Sequence, residues 1–359
     1  MRRIVGAVSP GSTLPSFVAA TRSMAPLPAS QSNTRKRRHN GFWRRSGIFF
    51  TALLALLQAS PLLAEPGDAQ DLLTRMSKAV RELDYQGSFV YEHDGRIDAL
   101  RIFHAGGANE RERLLSLSGP RSEIVRSGSS ITCLRNGAPA VLLPNRIGAR
   151  LLPLIPDTRG HSFGNLYLLD VGGEDRVAGY RARIVDVAPR DNYRYGYRLW
   201  LEEATHLPLR SAIVDSAKRT LEQFMFVALD VGAAPKESDL TPGSATDVTA
   251  SPAEAPLGRA PLWRVAELPP GFVFAGAQRP AQEPNQAEHL MYTDGLADVS
   301  VYVEPRDGNT PSAADRMLKR GVLGIYSHDT GAWKITVLGD VPRVTLERMA
   351  RSVQAVAAP

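Results

Sequence analysis

Histidine is the side chain that most often binds a metal ion or moves a proton near neutral pH. Six histidines follow residue 64: His93, His104, His161, His206, His289 and His328. No two of them are three or four residues apart, so no helix can present a histidine pair to a metal. His93 and His104 flank a predicted hairpin and could meet with Glu92 at a metal site. Exposed histidines at strand ends are the simpler interpretation, because half-buried strands carry polar residues on alternate positions.

Other motifs that carry chemistry are missing from the sequence. There is no GxxxxGK[ST] phosphate loop, no GxGxxG after a predicted strand, no HExxH and no CxxC. Nothing in the spacing of Ser, His and Asp brings a triad together. The single cysteine, Cys133, excludes an intrachain disulfide, and its alternating run predicts a buried strand residue. We therefore predict a non-enzymatic binding protein with no catalytic residues, no metal and no cofactor, while a hydrolase assembled only in space stays open.

The run YRYGYRLWL (193–201) places tyrosines beside arginines, as in a platform that stacks nucleic-acid bases. Alternation explains the run more simply, because a strand turns successive side chains to opposite faces. The tyrosines then share one face with Leu199 and Leu201, while Arg194, Arg198 and Trp200 share the other. A core or cavity wall is the resulting interpretation.

The net charge of +6 comes from the N-terminal residues. Residues 1–64 contain nine Lys and Arg and no Asp or Glu, and the rest has 34 basic against 37 acidic residues, a net charge of −3. That balance argues against nucleic acid as a partner. The basic run 35–45 precedes the apolar run 47–57, which predicts an export signal ending at Ala64, with Met24 as an alternative start and an uncleaved anchor as the rival. We expect a periplasmic protein.

Periodicity predicts one helix followed by strands. Apolar residues recur at helical spacing after Asp68, and the period then changes to two. About ten short runs with turn residues between them predict one antiparallel meander, either a strongly curved sheet or a partly open barrel. These runs are 86–93, 96–104, 111–118, 122–126, 129–135, 138–144, 180–189, 193–202, 208–215 and 220–230, with short helices expected near 147–154 and 164–169.

Composition divides the chain into four parts. After the signal region 1–64 we predict a barrel domain over 65–231, a flexible Pro/Ala/Ser-rich linker over 232–261 and a small α+β domain over 262–359. In the last part we expect strands, a helix near Ala313–Leu318 and a terminal helix from Asp340 or Pro342. The overall class is α+β.

Six segments of the chain form an ordered set: LDYQGSFVYEHDGRIDALRIFHA (83–105), LSLSGPRSEIVRSG (115–128), YRYGYRLWLEEATHLPLRSAIVDSAKRTLEQFMFVAL (193–229), WRVAELPPGF (263–272), MYTDGLADVSVYVE (291–304) and ITVLGDVPRVTLERMARSV (335–353). Together they resemble the RseB/MucB family of periplasmic sigma-factor regulators. No single motif is decisive, but the ordered set is specific and spans both predicted domains.

The resemblance implies a half-open antiparallel β-barrel with helices in its concavity, similar to the lipoprotein carriers LolA and LolB, plus the small C-terminal domain. It also implies a negative regulator of an envelope-stress sigma factor. Such a protein binds the periplasmic segment of a transmembrane anti-sigma factor, through which it is peripheral to the inner membrane, and shields that segment from proteolysis. Lipopolysaccharide or other lipid acyl chains would compete with this binding.

Several predicted strands are apolar on both faces, which predicts either a packed core or a greasy groove. Our hypothesis for the groove is a set of lipid-binding residues on the concave face: Phe89, Tyr91, Leu100, Ile102, Leu115, Leu117 and Tyr197. A periplasmic lipid or lipoprotein carrier is the alternative function, although carriers lack the second domain. The sequence leaves a homo-oligomer open.

Overall fold

The computed structural model describes residues 66–128, 130–135, 138–144, 163–243, 248–250, 255–256, 260–279, 287–306 and 314–356. The predicted signal region and the helix expected near 147–154 lie outside these residues. Within the described residues, none of the helices combines the length and the apolar character that a membrane crossing requires.

The first helix, α1 (Pro66–Glu82), begins two residues before Asp68. Its buried side chains recur at helical spacing and form one stripe: Ala69, Leu73, Met76 and Val80 are each at most 2% exposed. Most of this stripe packs against strand residues of the first sheet such as Val185, Leu199 and Leu201. That packing holds the helix against one face of the sheet, called the helix face below.

The first lobe is a single large sheet. Its elements are β1 (Tyr85–His93), β2 (Arg96–Ala105), β3 (Arg111–Ser116), β4 (Ser122–Ser127), β5 (Ser130–Arg135), β6 (Ala138–Pro144), α2 (Phe163–Leu166), β7 (Tyr167–Val177), β8 (Tyr180–Pro189), β9 (Gly196–Glu202), β10 (Pro208–Val214), β11 (Thr220–Val231), α3 (Glu237–Leu240) and β12 (Val248–Ala250). Among the described residues the strand order is β12-β6-β5-β4-β3-β2-β1-β11-β10-β9-β8-β7, antiparallel except for β12 against β6. Because β12 and β7 stand at opposite ends of this order, the barrel is half open.

The prediction of one continuous meander was wrong. The strands form two meanders, β1–β6 and β7–β11, which join where β1 pairs antiparallel with β11. Strand β7 was also missed, because Gly172 and Gly173 interrupt its alternation at a bulge between Val171 and Glu174.

The second lobe is a smaller sheet with one helix on it. Its described elements are β13 (Ala255–Pro256), β14 (Trp263–Val265), β15 (Val273–Arg279), β16 (Glu288–Thr293), β17 (Asp298–Pro305), β18 (Arg316–Arg320), β19 (Leu323–Thr330), β20 (Trp333–Gly339), α4 (Arg343–Arg351) and β21 (Val353–Ala355). The strand order is β13-β15-β16-β17-β20-β19-β18, and β14 pairs separately with β21. The predicted α+β class, with a half-open antiparallel barrel and a small second domain, is confirmed.

The helix expected near Ala313–Leu318 is wrong. Arg316–Arg320 is strand β18, which pairs with β19 through a turn at Gly321, whose φ is +60°. Met317 packs on the second core while Leu318 on the other face is 56% exposed, which is the alternation of a strand.

Part of the predicted linker contacts the first sheet. Helix α3 lies beside β3, where the Arg113 guanidinium donates to the carbonyl oxygens of Ser238 and Asp239 at 3.5 and 3.2 Å. Glu123 on β4 accepts from the Gly243 backbone N–H at 3.0 Å. These contacts hold residues 237–243 on the first lobe.

Candidate functional site: the seam between the lobes

Five of the seven residues predicted to bind lipid lie on the helix face. Leu100 pairs with Phe89, and the face continues through Tyr91 and Ile102 on the same two strands. It reaches Tyr197 through the registers of β11, β10 and β9. Phe89 and Ile102 are at most 1% exposed and belong to the core, whereas Tyr91, Leu100 and Tyr197 are half-buried.

The other two predicted residues point the opposite way. Leu115 on β3 pairs with Arg101, so it lies on the face opposite Leu100 and Ile102. Leu117 follows β3, and its backbone N–H donates to the carbonyl of Ala99, which places its 54% exposed side chain on the Leu115 side. The structure therefore does not bring all seven residues to one surface.

The two histidines of the first hairpin do not meet. His93 pairs with Arg96 beside the turn, whereas His104 pairs with Tyr85 at the far end of the ladder, so they cannot share a metal ion. His104 is also not exposed as expected, because its ring is fully buried and stacks on Tyr85 with centroids 4.4 Å apart. Its two ring nitrogens contact the carbonyl of Leu83 at 2.8 Å and the carboxylate of Glu110 at 3.1 Å.

Residues 160–164 read GHSFG, which has the GxSxG spacing of a hydrolase nucleophile elbow and is a motif that the prediction of a non-enzymatic protein did not consider. In that elbow the serine leads directly into a long helix. Here Ser162 lies outside the described residues and precedes α2, which has four residues and leads into β7. This context does not fit a nucleophile elbow.

Arg194 occupies a buried site between the lobes, although it was predicted to lie within a strand over 193–202. It precedes β9, so strand alternation does not apply to it. The guanidinium pairs with Asp294 of the second lobe, and both side chains are 0% exposed. Its Nε donates to Asp191 at 3.1 Å, and a terminal nitrogen donates to the carbonyl of Pro270.

The surroundings of this pair satisfy its remaining polar atoms. Asp294 also accepts from the Tyr167 hydroxyl at 2.9 Å and from the backbone N–H groups of Leu296 and Ala297 at 2.9 and 2.7 Å. The guanidinium carbon lies 5.5 and 5.3 Å from the ring centres of Tyr167 and Phe272. Burial, together with the negative charge of Asp294, raises the pKa of Tyr167, so this hydroxyl stays protonated and donates. A buried ion pair is stable only when hydrogen bonds of this kind complete it.

Helix α4 adds two contacts close to Arg194. The Thr345 hydroxyl donates to the carbonyl of Tyr193 at 2.6 Å, and Arg348 donates to the Tyr193 hydroxyl at 3.1 Å. Leu296 packs against the core cluster of the first lobe that contains Tyr167. This part of the seam thus combines apolar packing with a buried ion pair. We call it the pivot, defined by Tyr167, Tyr193, Arg194, Asp294 and Thr345.

A second set of contacts joins the lobes at the tip of the first hairpin. The Gly321 N–H donates to the Asp94 carboxylate at 2.6 Å, and the Val322 N–H donates to Glu222 at 2.8 Å. Glu222 also accepts from the Tyr91 hydroxyl at 2.7 Å; burial and this bond raise the pKa of Tyr91. We call this set the latch, defined by Tyr91, Asp94, Glu222, Gly321 and Val322.

Two open clefts with mixed polar and apolar linings lie beside these elements. One, of about 240 Å³, adjoins the latch and is lined by Glu92, Asp94, Gly95, Thr220, Leu221, Glu222, Gln223, Lys319 and Gly321. The other, of about 370 Å³, lies beside α1 and is lined by Asp68, Asp71, Leu72, Arg75, Val171, Arg183, Leu201, Glu202, Glu203 and His206. Neither resembles a closed apolar pocket for an acyl chain.

Models of two domain families match the chain: the MucB/RseB N-terminal domain over residues 68–244 and the MucB/RseB C-terminal domain over residues 258–354. The first model spans most of the first lobe and the second model spans most of the second lobe. The chain belongs to the MucB/RseB family, as its resemblance predicted.

Curated relatives agree over almost their whole length. The sigma factor AlgU regulatory protein MucB of Pseudomonas aeruginosa is 37% identical over 86% of this chain and 98% of its own. The sigma-E factor regulatory protein RseB of Escherichia coli K12 is 29% identical over 79% of this chain and 89% of its own.

Solved structures extend the likeness to three dimensions. The complex of P. aeruginosa MucA and MucB matches with a TM-score of 0.65 at 35% identity, covering 81% of this chain and all of that one. A crystal structure of MucB matches with a TM-score of 0.57 at 34% identity, covering 81% of this chain and 98% of that one.

Proposed function

We propose that this chain is a non-enzymatic periplasmic regulator that binds the periplasmic segment of a transmembrane anti-sigma factor. By shielding that segment from proteolysis, it restrains an envelope-stress sigma factor. The observation that carries the proposal is that both lobes together match MucB, a protein whose solved structures include a complex with the periplasmic part of MucA. The charge pattern of residues 1–64 supports a periplasmic location.

A titration tests the binding step. The chain from residue 65 onward is titrated by calorimetry with the periplasmic segment of the anti-sigma factor from the same organism. We expect saturable binding, and we expect the bound segment to be cut more slowly by the protease that normally attacks it. A segment that binds but is cut at the free rate would contradict the shielding role. Recovery of lipoproteins instead of the anti-sigma factor from envelope extracts would favour the carrier function.

We further propose that lipid acyl chains reach the helix face and weaken this binding. A lipid can release the partner only if it prefers the partner-free form, and the coupling is then reciprocal. The half-buried Tyr91, Leu100 and Tyr197 are the positions that support this proposal. Phe89 and Ile102 are core residues, and a charge at either would unfold the lobe rather than test the groove.

The two faces of the sheet provide a matched pair of variants. Leu100→Lys puts a charge on the helix face, and Leu117→Lys puts the same charge on the opposite face at an exposed position. We expect lipopolysaccharide to release the anti-sigma segment from the parent chain and from Leu117→Lys, but not from Leu100→Lys. Equal responses of the two variants would exclude the helix face as the lipid site.

A further inference from the structure

The seam between the lobes is asymmetric. At the pivot, the Arg194–Asp294 pair is completely buried and apolar packing surrounds it. At the latch, two backbone N–H groups contact carboxylates beside an open cleft. The two ends of the seam therefore differ in how readily water can replace their contacts.

Opening the seam at the pivot would strand a charge. The guanidinium of Arg194 donates to carboxylate and carbonyl oxygens and lies near the rings of Tyr167 and Phe272. Separating the pair would leave Asp294 as a carboxylate without a counter-charge and Arg194 with Asp191 as its remaining carboxylate partner, and a buried charge that loses its partner is strongly destabilising. Gly271, with φ of +81°, also lies so close to Leu166 of the first lobe that a Cβ there would overlap the leucine side chain. The pivot is thus a fitted contact.

Opening the seam at the latch breaks no ion pair. The Asp94 side chain is 45% exposed, and Asp94, Glu222 and Gly321 line the open cleft, so water reaches this side of the latch, whereas the Val322 N–H bond to Glu222 is buried. Carboxylates and amides that separate into water regain hydrogen bonds, so little is lost. The turn itself requires glycine at position 321, because a Cβ there would overlap the Glu222 carboxylate.

We propose that the second lobe swings about the pivot, and that the Gly321–Val322 turn is a latch that closes on Glu222 and Asp94. This motion occurs in the chain without a partner or lipid. If the proposed function holds, a partner seated across both lobes would fit one latch state better and would shift the equilibrium toward it. Arg194 thus holds the second lobe at the pivot, and Gly321 permits the turn that closes the latch.

Distances between spin labels measure the two ends of the seam separately. In a Cys133→Ser background, one label pair at Ile97 and Leu318 spans the latch end, and a second pair at Leu168 and Val344 spans the pivot end. All four positions are 39–67% exposed. Pulsed dipolar spectroscopy then gives a distance distribution for each pair in the parent chain and in the variants.

Gly321→Ala disrupts the latch, and Gly331→Ala is its matched control. Gly331 also has a left-handed φ, +56°, but a Cβ there meets nothing within 4 Å. We expect Gly321→Ala to shift the Ile97–Leu318 distribution to longer distances and to leave the Leu168–Val344 distribution unchanged. Gly331→Ala should change neither.

Three results would overturn the proposal: both pairs lengthening in Gly321→Ala, neither pair changing, or Gly331→Ala producing the same shift as Gly321→Ala. If Gly321→Ala does not fold, Glu222→Ala decides by the same criteria, because it removes the acceptor without straining the turn. No partner or lipid is present, so the outcome is separate from that of the binding titration.

Discussion

Arg194 of the first lobe and Asp294 of the second form an ion pair with no solvent exposure on either side chain. They lie one hundred residues apart, each in a loop next to a strand rather than in the strand itself. The ion pair and the neighbouring rings of Tyr167 and Phe272 connect the two lobes at the pivot. Its contribution to the fold can be measured.

Removing the guanidinium should destabilise the protein strongly. We expect Arg194→Ala to lower the free energy of unfolding by about 3–5 kcal/mol, because Asp294 is left as a buried charge without a counter-ion. Arg198→Ala is the control, since its bond to Asp186 is exposed and should contribute at most about 1 kcal/mol. Urea unfolding followed by near-UV circular dichroism measures both. Equal losses would show that the buried pair contributes no more than a surface one.

Releasing Glu123 should free residues 237–243 from the first lobe. This carboxylate is 5% exposed and accepts from Arg113 and Arg121 at 2.9 Å each, as well as from the Gly243 N–H. In Glu123→Ala we expect backbone amides of 237–243 to lose protection in hydrogen exchange, because the anchor of the segment is gone. Glu237→Ala, which removes a 72% exposed carboxylate, should leave most of that protection intact. If Glu237→Ala loses more protection than Glu123→Ala, the exposed Arg111–Glu237 ion pair holds α3 instead.

Acid should weaken the second lobe through Asp315. Hydrogen bonds from His328 and Tyr326, with a smaller contribution from Arg351, lower the pKa of this carboxyl from its ordinary 3.8 to about 2. A pKa that is lower in the folded chain stabilises the fold above the unfolded value and ceases to do so as pH falls through the folded value. The stability difference between the parent and Asp315→Asn should therefore be present just above pH 4 and shrink as the pH falls from 3.8 to about 2. A difference that does not change with pH would contradict this.

The aromatic core of the first lobe should be sensitive to truncation. Phe89 lies 5.6 and 6.1 Å from the rings of Phe226 and Phe224 and is 1% exposed. We expect Phe89→Ala to cost about 3–5 kcal/mol, since a cavity replaces a fully packed ring. Phe274→Ala removes a 49% exposed ring that packs edge-on against Tyr292, and should cost less than about 1.5 kcal/mol. Thermal unfolding of the two variants makes the comparison.

Local patterns predicted much of this structure. Helix α1 follows from apolar residues at helical spacing, and β1 and β2 follow from their alternation and the turn at Asp94-Gly95. The ordered segments shared with the MucB/RseB family predicted both lobes. Residues two apart in one strand share a face, so the sequence could place Phe89 beside Tyr91 and Leu100 beside Ile102.

Relationships between distant segments were not contained in local patterns. The pairing of β1 with β11, the register that turns Leu115 away from Leu100, and the strand at Arg316–Arg320 all depend on which strand lies alongside. The sequence by itself determined most strands of the first lobe, the first helix and the family. Only the tertiary structure decided that Arg194 is buried against Asp294, because a loop arginine has no periodicity and its environment comes from the other lobe.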